Sequence, residues 1–536
     1  MSAELDRAAG ALDCAERVVR QGIAALRSSG VDAAQVVAYD VAHAAAAVAT
    51  ARATVAYGRY GSVETRIACA FVADVVADLR AKLAGRARSW QAEEDLLDPT
   101  DDVVAAHRDP NALAALCGEV GGRHLPEELE LARETFHRFA ENEVRPHAEH
   151  VHRANTDIPE RIISGLAELG GFGLSVPEEY GGSATGAESD YLGMVVATEE
   201  LSWGSLGIGG SLITRPEILT RALLYGGTGE QKRRWLPKLA SGELLAAVAV
   251  TEPDFGSDVA GIATTASPAA GGWVLNGVKT WCTFAARAEA LMLLARTDPD
   301  RSKGHRGLSL FVVEKPPCDS RGFLLTQGDG TGGRPGGLAQ GRLEGRPIDT
   351  IGYRGMHSYE LAFENWWVPS DNLIGGPAGE GRGFYLQMQG FENGRLQTAA
   401  RAIGVMQAAY EAGLDYAKAR KVFGRPIIEY QLTRAKLGRM AAMIQASRQM
   451  SYSVASMMAR GEGSMEASMI KAYVCRAAEW VSREAMQLHG GMGYAEELPV
   501  SRLFVDARVL SIFEGADETL CLKVIARRLV EQAAAG

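Results

Sequence analysis

The chain has 536 residues, 47% of them apolar, so it is long enough for roughly three to four structural units around a large buried core. Its net charge of −10 excludes a general nucleic-acid groove and a basic tail for an anionic membrane. Seven scattered cysteines without a C-x-x-C pair, an acidic N-terminus and the lack of a membrane-length apolar run together predict a cytoplasmic protein with reduced thiols.

Residues 1–125 are predicted to form an Ala-rich helical extension followed by a linker. Apolar residues recur at steps of three and four from Val37 to Val55 and again from Val63 to Leu79. Two such helices would pair as a hairpin, because Ala allows a close approach. This pattern favours a packing or oligomerisation role over a catalytic one. The polar segment from Trp90 to Arg123 is broken by Pro110 and is expected to be the linker.

The rest of the chain changes its period twice. Residues 126–245 are helical in pattern, and residues 246–382 contain short apolar runs separated by Gly, Pro and Asp, which are typical of a small β-barrel or sandwich. Long helical patterns return in residues 383–536 and predict a C-terminal bundle. The predicted fold class is therefore mainly α with a β-barrel middle domain, and a crevice between such domains suits a planar cofactor.

One carboxylate near the C-terminus has an unusual setting. Glu514 follows the apolar residues Ile512 and Phe513 and precedes Gly515. A carboxylate that is desolvated on one side is suited to removing a weakly acidic proton from carbon. A Glu beside a Gly is more often a helix cap or a surface ion pair, so this segment needs support from other motifs.

Two segments of the predicted barrel carry polar and aromatic groups at strand ends. The first runs from Val248 to Asp258, where backbone amides and the hydroxyls of Thr251 and Ser257 can bind carbonyl or phosphate oxygens. In the second, alternation places Trp281 and Thr283 on one face, where an indole can cover a ring and a hydroxyl can donate to it. The alternatives are a simple closing turn and a buried barrel Trp.

Five motifs in this order resemble those of the acyl-CoA dehydrogenase family, over about residues 126 to 530. They are Thr251-Glu252-Pro253 with Gly256-Ser257-Asp258; Trp281-Cys282-Thr283; Arg420 to Pro426 with Gln431; Gln487 to Tyr494; and Phe513-Glu514-Gly515. The resemblance implies an FAD-dependent enzyme that oxidises an acyl-CoA. It also implies that FAD lies between the β domain and the bundle, and that electrons pass to an electron-transferring flavoprotein.

The resemblance also assigns roles to individual residues. Glu514 would be the base that removes the α proton of the CoA thioester. The FAD contacts would be Val250, Thr251, Ser257, Trp281 and Thr283 on the ring side, Arg420, Phe423, Gln431, Gln487, Gly490 and Gly491 on the adenine side, and Ala516 and Glu518 after the base. The adenine-side residues would come from a neighbouring subunit, which implies a homodimer or homotetramer. The substrate contacts would be Arg215, Glu392, Arg395 and Gly515, and no metal is implied.

The chain departs from the family at three positions. Ala516 and Glu518 stand where the family often has Thr and Gln, so one flavin hydrogen bond is lost or is made by Asp517 or Thr519 instead. Gly394 occupies the place where some members carry their base, which leaves Glu514 alone in that role.

Within the family, the resemblance is closest to the methylsuccinyl-CoA dehydrogenases, which share the Ala-rich extension and a run like Gly345 to Tyr359. It implies a short branched dicarboxylic substrate whose second carboxylate must be paired inside the protein. Arg215 is the candidate partner, and Arg354 and Tyr359 are its rivals. The alternatives for the whole chain are an acyl-CoA dehydrogenase or oxidase for another short-chain substrate, and a scaffold that has lost catalysis.

Overall fold

The computed structural model describes residues 3–535, and its elements follow the predicted order of helices, strands and helices. The chain divides into two compact units. The first unit comprises the chain up to Arg138, Thr198–Gly204 and the chain from Arg395 onward; the second comprises Phe139–Ala197 and Ser205–Gly394. Among the helices of residues 3–535, none is long and apolar enough to cross a membrane.

The N-terminal extension contains the predicted hairpin and one further long helix. Its helices are α1 (Ala3–Ser29), α2 (Gln35–Tyr57), α3 (Ser62–Leu83), α4 (Ala87–Trp90), α5 (Asp101–His107) and α6 (Pro110–Ala115). Buried Val41 and Phe71 of the extension share one hydrophobic cluster with Ala446, Met469 and Ile525 of the C-terminal region. The extension is therefore an integral layer of the first unit.

The segment that we expected to be a linker is folded. Trp90 is fully buried, and Leu97, Val103 and Leu116 are also buried. The segment contains the short helices α5 and α6, and Asp109 caps α6 by accepting hydrogen bonds from two backbone amides. The polar composition of this segment describes its exposed side only, and the linker prediction is wrong.

Helices also precede the sheet. They are α7 (Glu127–Phe139), α8 (Arg145–Ala154), α9 (Glu160–Glu168), α10 (Glu188–Gly204), α11 (Thr214–Gly226) and α12 (Gly229–Ser241). Thr228 and Gln231 form a capping box that starts α12. In the second unit, α11 and α12 share one core with the strands through residues such as Leu223, Trp235 and Met292.

The middle of the chain forms a curled sheet. Its strands are β1 (Ala246–Ala249), β2 (Thr265–Ala269), β3 (Gly272–Lys279), β4 (Ala290–Arg296), β5 (Leu308–Glu314), β6 (Phe323–Gln327), β7 (Gly341–Ile348) and β8 (Ser358–Pro369). The order is β1-β4-β2-β3-β8-β7-β6, with β5 paired to β4. Every residue of β4 is buried, which explains its apolar sequence from Ala290 to Ala295 before the buried Arg296.

The C-terminal region is helical apart from one small hairpin. Its elements are α13 (Gly383–Ala419), β9 (Lys421–Val422), β10 (Arg425–Pro426), α14 (Gln431–Ala459), α15 (Ser464–Leu488), α16 (Gly491–Tyr494), α17 (Pro499–Leu510), α18 (Asp517–Thr519) and α19 (Ala526–Ala535). The predicted fold class, mainly helical with a β middle domain, is confirmed.

Candidate active site

Glu514 lies in a short loop that joins α17 to α18. Its φ is 55° and that of Gly515 is 101°, so two successive residues lie in the left-handed region. For a residue other than glycine this conformation costs about 1–3 kcal/mol and persists only where the surroundings impose it. The side chain of Glu514 is 4% exposed. The predicted base is therefore a nearly buried carboxylate on a constrained loop.

Two buried cations, which the sequence analysis does not identify, border this loop. The Arg401 guanidinium lies 4.0 Å from the Glu514 carboxylate and 4.7 Å from the centre of the Phe513 ring. Lys471 donates a hydrogen bond from Nζ to the Gly515 carbonyl oxygen, and burial lowers the pKa of Lys471. Each of these two cations is a single basic residue between apolar neighbours in a helix, which is a signal that the sequence carries.

The loop ends at Asp517, whose carboxylate is held by two residues of the N-terminal extension. The Tyr39 hydroxyl donates to Oδ2 at 2.5 Å, and His43 Nε2 lies 3.0 Å from the same oxygen. Burial alone would raise the pKa of Asp517, but the hydrogen bonds from His43 and Tyr39 keep this pKa below its ordinary value. This carboxylate is thus engaged by the extension, which argues against its use as the missing flavin contact.

The same region contains three potential metal ligands. His43, Asp517 and Cys521 place ligand atoms within 4.8 Å of one another. Burial raises the pKa of the Cys521 thiol, and the charge of Asp517 adds to this rise. Because Asp517 already accepts hydrogen bonds from Tyr39 and His43, we interpret the group as a hydrogen-bonded cluster.

In the second unit, a buried ion pair supports the first predicted flavin segment. Lys279 Nζ lies 2.8 Å from the Glu252 carboxylate and donates to the carbonyl oxygen of Val250 at 2.9 Å. The Thr251 carbonyl accepts a hydrogen bond at 2.8 Å from the backbone amide of Thr280, the residue that follows β3. Val250 is buried, Thr251 is half-buried and Ser257 is exposed, so the turn leads from the core to the surface.

The second flavin segment does not continue the strand. β3 ends at Lys279, and Trp281 and Phe284 have φ values of 57° and 70°. The alternation from which we expected Trp281 and Thr283 to share a face is therefore wrong: the indole is 56% exposed and Thr283 is buried. The Thr283 hydroxyl lies 3.0 Å from the Ser358 hydroxyl, and this contact fixes its orientation.

The first C-terminal flavin segment is a tight hairpin. β9 and β10 are joined by Phe423 and Gly424, which both have positive φ, as a two-residue hairpin turn requires. This turn leaves Phe423 95% exposed. Arg420 precedes the hairpin, and Gln431 follows it at the start of α14, where it donates to the Asn111 side chain at 2.6 Å.

The second C-terminal flavin segment joins α15 to α16. Gln487, Gly490 and Gly491 are exposed, and no atom lies within 4 Å of the place where a side chain on either glycine would project. This open glycine surface allows close approach of a polar group to the backbone. Two residues after the base differ from the family pattern: Ala516 is half-buried and Glu518 is exposed.

The three candidates for pairing the second carboxylate, Arg215, Arg354 and Tyr359, each contact other groups of the second unit. Arg354 donates to the backbone carbonyls of His152 and Thr350, and the Tyr359 hydroxyl donates to the carbonyl of Ser320. Buried Arg215 lies 3.4 Å from the Tyr353 hydroxyl.

The charge of Arg215 also reaches the second flavin segment. Burial raises the pKa of the Cys282 thiol to about 12, while the nearby charges of Lys279 and Arg215 act against this rise. The positive charge of Arg215 thus acts on Cys282, which lies between Trp281 and Thr283 in the chain.

The other two substrate candidates lie on α13. Glu392 is half-buried, and Arg395 donates to the Ser468 hydroxyl at 3.2 Å. Burial is the main cause of the lowered pKa of Lys471, and the charge of Arg395 adds to it; Lys471 in turn donates to the carbonyl oxygen of Gly515. Within each unit, the residues present fit a flavin: an exposed indole and hydroxyls on one, and exposed glycine amides on the other.

Three family models match nearly the whole chain after the extension. They describe the acyl-CoA dehydrogenase N-terminal domain at residues 126–243, the middle domain at 247–366 and the C-terminal domain at 381–530. The (2S)-methylsuccinyl-CoA dehydrogenase of Cereibacter sphaeroides is 44% identical over 430 residues, which are 80% of this chain and 74% of that protein.

Solved structures give the same result. The glutaryl-coenzyme A dehydrogenase structure in complex with glutaryl-CoA has a TM-score of 0.67 and 29% identity, and covers 77% of this chain and 97% of that chain. A chain from the structural work on the electron transferring flavoprotein of Acidaminococcus fermentans has a TM-score of 0.66 and 30% identity, and covers 77% and 98%. The chain therefore belongs to the acyl-CoA dehydrogenase family of FAD-dependent oxidoreductases.

Proposed function

We propose that this enzyme oxidises a short branched dicarboxylic acyl-CoA, (2S)-methylsuccinyl-CoA, to mesaconyl-CoA, a reaction of the ethylmalonyl-CoA pathway. The observation that carries the proposal is Glu514, a nearly buried carboxylate on a loop with two positive φ values. The choice of substrate is supported by the 44% identity to a relative with that activity in its name.

Glu514 acts as the base that removes the α proton of the thioester. The proton is far too weakly acidic for a carboxylate in water, so the thioester oxygen must be stabilised as it gains charge. The backbone amide of Glu514 is the proposed donor from this chain, and one such donor contributes about 2.7–4 kcal/mol. The bound substrate displaces water from around the Glu514 carboxylate.

FAD, when bound, supplies the acceptor for the hydride that leaves the β carbon. The residues that would hold its ring are Val250, Thr251, Ser257, Trp281 and Thr283, with Ala516 and Glu518 following the base. The residues Arg420, Phe423, Gln431, Gln487, Gly490 and Gly491 would bind the adenine half of a flavin of the neighbouring subunit. The strong exposure of Phe423 supports this role, because an exposed aromatic ring at a hairpin tip can stack on a base. The enzyme would then be a homodimer or homotetramer.

Arg215 pairs the second carboxylate of the substrate. Its guanidinium lies 3.4 Å from the Tyr353 hydroxyl, and a planar guanidinium suits bidentate binding of a carboxylate. Glu392 and Arg395 contact the CoA portion, and Gly515 lies next to the base at the thioester. Electrons then leave to an electron-transferring flavoprotein in the cytoplasm.

The experiment that tests this proposal is an anaerobic substrate comparison with the purified holoenzyme. (2S)-Methylsuccinyl-CoA should bleach the flavin absorbance faster than glutaryl-CoA, butyryl-CoA or isovaleryl-CoA. It should also be turned over with a higher kcat/KM than these three substrates. A faster reaction with a monocarboxylic substrate would overturn the substrate assignment. Reoxidation by an electron-transferring flavoprotein should be much faster than by O2, and the reverse result would identify an oxidase.

A variant isolates the role of Arg215. Arg215→Met should lower kcat/KM for methylsuccinyl-CoA by about 10- to 100-fold, as expected for the loss of a charged hydrogen bond of about 1.5–3 kcal/mol. The kcat/KM for butyryl-CoA should change little, because this substrate has no second carboxylate. Equal losses for both substrates would exclude the assignment.

A further inference from the structure

The N-terminal extension reaches the active-site loop through two side chains. Tyr39 and His43 lie four residues apart on α2, and their rings meet edge to face with centroids 4.6 Å apart. Both face the Asp517 carboxylate, at 2.5 Å and 3.0 Å. Asp517 follows the proposed base by three residues, so the contact is made within the same loop.

α2 is a rigid platform for these side chains. Most of its residues are buried, including Ala38, Val41, Ala42 and Ala45. These residues share one hydrophobic cluster with α1, α3 and the bundle helices α14 and α15. A helix that is packed on several sides cannot shift without disturbing this core, so the position of Asp517 is set by α2.

Asp517 is also the closing residue of the loop. Its backbone amide donates to the carbonyl of Ser511 at 3.2 Å, and Glu514 lies midway between these two residues. Lys471 donates a hydrogen bond to the carbonyl oxygen of Gly515, the residue that follows Glu514. The segment that contains Glu514 is thus closed by the backbone hydrogen bond between Asp517 and Ser511. The side chain of Asp517 is in turn held by the contact with α2.

We infer that the N-terminal extension positions the catalytic base: Tyr39 and His43 bind Asp517 and thereby hold Glu514 in the conformation from which it reaches the substrate. This inference rests on the proposed role of Glu514. Tyr39, His43 and Asp517 are positioning residues, because they act through the loop. The extension is then a working part of the active site.

The test uses Tyr39→Phe in the full-length holoenzyme, with Tyr57→Phe as the matched control. Tyr57 lies on the same helix, is buried, and loses a hydroxyl that accepts from Gln445 Nε2 at 2.8 Å, away from Asp517. Tyr39→Phe should lower the anaerobic rate of flavin reduction by about 10- to 100-fold, because a small misplacement of a catalytic group has effects of this size. KM and flavin content should stay within about twofold. Tyr57→Phe should keep the wild-type rate.

A double-mutant cycle shows whether the effect passes through Asp517. Asp517→Asn should also slow flavin reduction, and the double variant with Tyr39→Phe should be no slower than the slower single variant. Losses that multiply, or an equal loss in Tyr57→Phe, would overturn the inference. His43→Gln keeps a donor and should retain the rate within about threefold, whereas His43→Leu should not.

Two further results separate this inference from its alternatives. Treatment with a chelator should leave the rate unchanged; a loss that zinc restores would overturn the inference, since a metal would then hold Asp517. If Glu514→Gln abolishes flavin reduction while Tyr39→Phe has the wild-type rate, only the positioning role fails. If Glu514→Gln has the wild-type rate, the base assignment fails and the inference with it.

Discussion

Replacing Lys279 with Met tests whether the buried ion pair of Lys279 and Glu252 stabilises the first predicted flavin segment, Val248 to Asp258. The Lys279 side chain is fully buried, 2.8 Å from a Glu252 carboxylate that is itself buried. Met keeps most of the aliphatic volume and removes the ammonium group. The Glu252 carboxylate then retains two backbone donors, the amides of Ala263 at 2.6 Å and Thr264 at 2.9 Å.

The expected loss of stability follows from this geometry. Removing one partner of a buried ion pair costs about 3–5 kcal/mol, because the remaining charge is left without compensation. The two amides still stabilise the carboxylate, so we expect the lower end, a decrease of about 3 kcal/mol in the free energy of unfolding at pH 7.

The pH dependence has a definite sign. Burial alone would raise the pKa of Glu252, but the charge of Lys279 and the hydrogen bonds keep this pKa below the ordinary value of 4.5. A carboxyl group with a lowered pKa in the folded state contributes stability above that ordinary value and loses it as the pH falls. The difference between wild type and Lys279→Met should therefore be largest at neutral pH and shrink below pH 4.5.

The assay is urea denaturation followed by tryptophan fluorescence, together with the flavin content of the purified protein. Lys279→Met should also bind less FAD, because the hydrogen bond from Lys279 to the Val250 carbonyl oxygen is lost. Lys303→Met is the matched control: Lys303 is 50% exposed and pairs with Asp298 on the surface, so its replacement should change the free energy of unfolding little. Lys279→Met combined with Glu252→Gln should recover much of the stability. Equal losses for Lys279→Met and Lys303→Met, or no recovery in the double variant, would refute this reasoning.

Three further predictions concern the first unit. Phe423→Ala should lower flavin retention, measured by absorbance after gel filtration, with an unchanged melting temperature of the apoprotein; full retention would exclude the stacking role of this exposed ring. Arg448→Met should destabilise the enzyme by about 3 kcal/mol in urea, because buried Glu199 loses hydrogen bonds of 2.8 and 3.0 Å; a stability within 1 kcal/mol of wild type would contradict this. Deletion of residues 1–120 should give aggregated protein in size-exclusion chromatography, because it uncovers Met469 and Ile525; a monodisperse, active product would contradict the shared core.

The sequence predicts the features that are local along the chain. The period of Val37 to Val55 gives α2, and the apolar run of Ala290 to Ala295 gives a buried strand. These predictions succeed because helix period, strand burial and turn chemistry depend on neighbouring residues. The family motifs predict the FAD cofactor for the same reason, because each motif lies within a short segment.

Features that depend on tertiary packing are not predictable from one sequence. Tyr39 and Asp517 are 478 residues apart, and no local pattern indicates that they meet. The alternation rule fails at Trp281 because the strand ends two residues earlier and the backbone turns. The linker prediction fails at Trp90 because burial of one large side chain outweighs the polarity of its neighbours.

The most direct test of the proposed chemistry is the anaerobic reaction of Glu514→Gln with (2S)-methylsuccinyl-CoA, followed at the flavin absorbance. Gln keeps the size and much of the hydrogen bonding of Glu514 but cannot accept the proton. We predict that the variant retains FAD and reduces it at least about 100-fold more slowly than wild type, the loss expected on removal of a general base. Bleaching at the wild-type rate would contradict the assignment of Glu514 as the catalytic base.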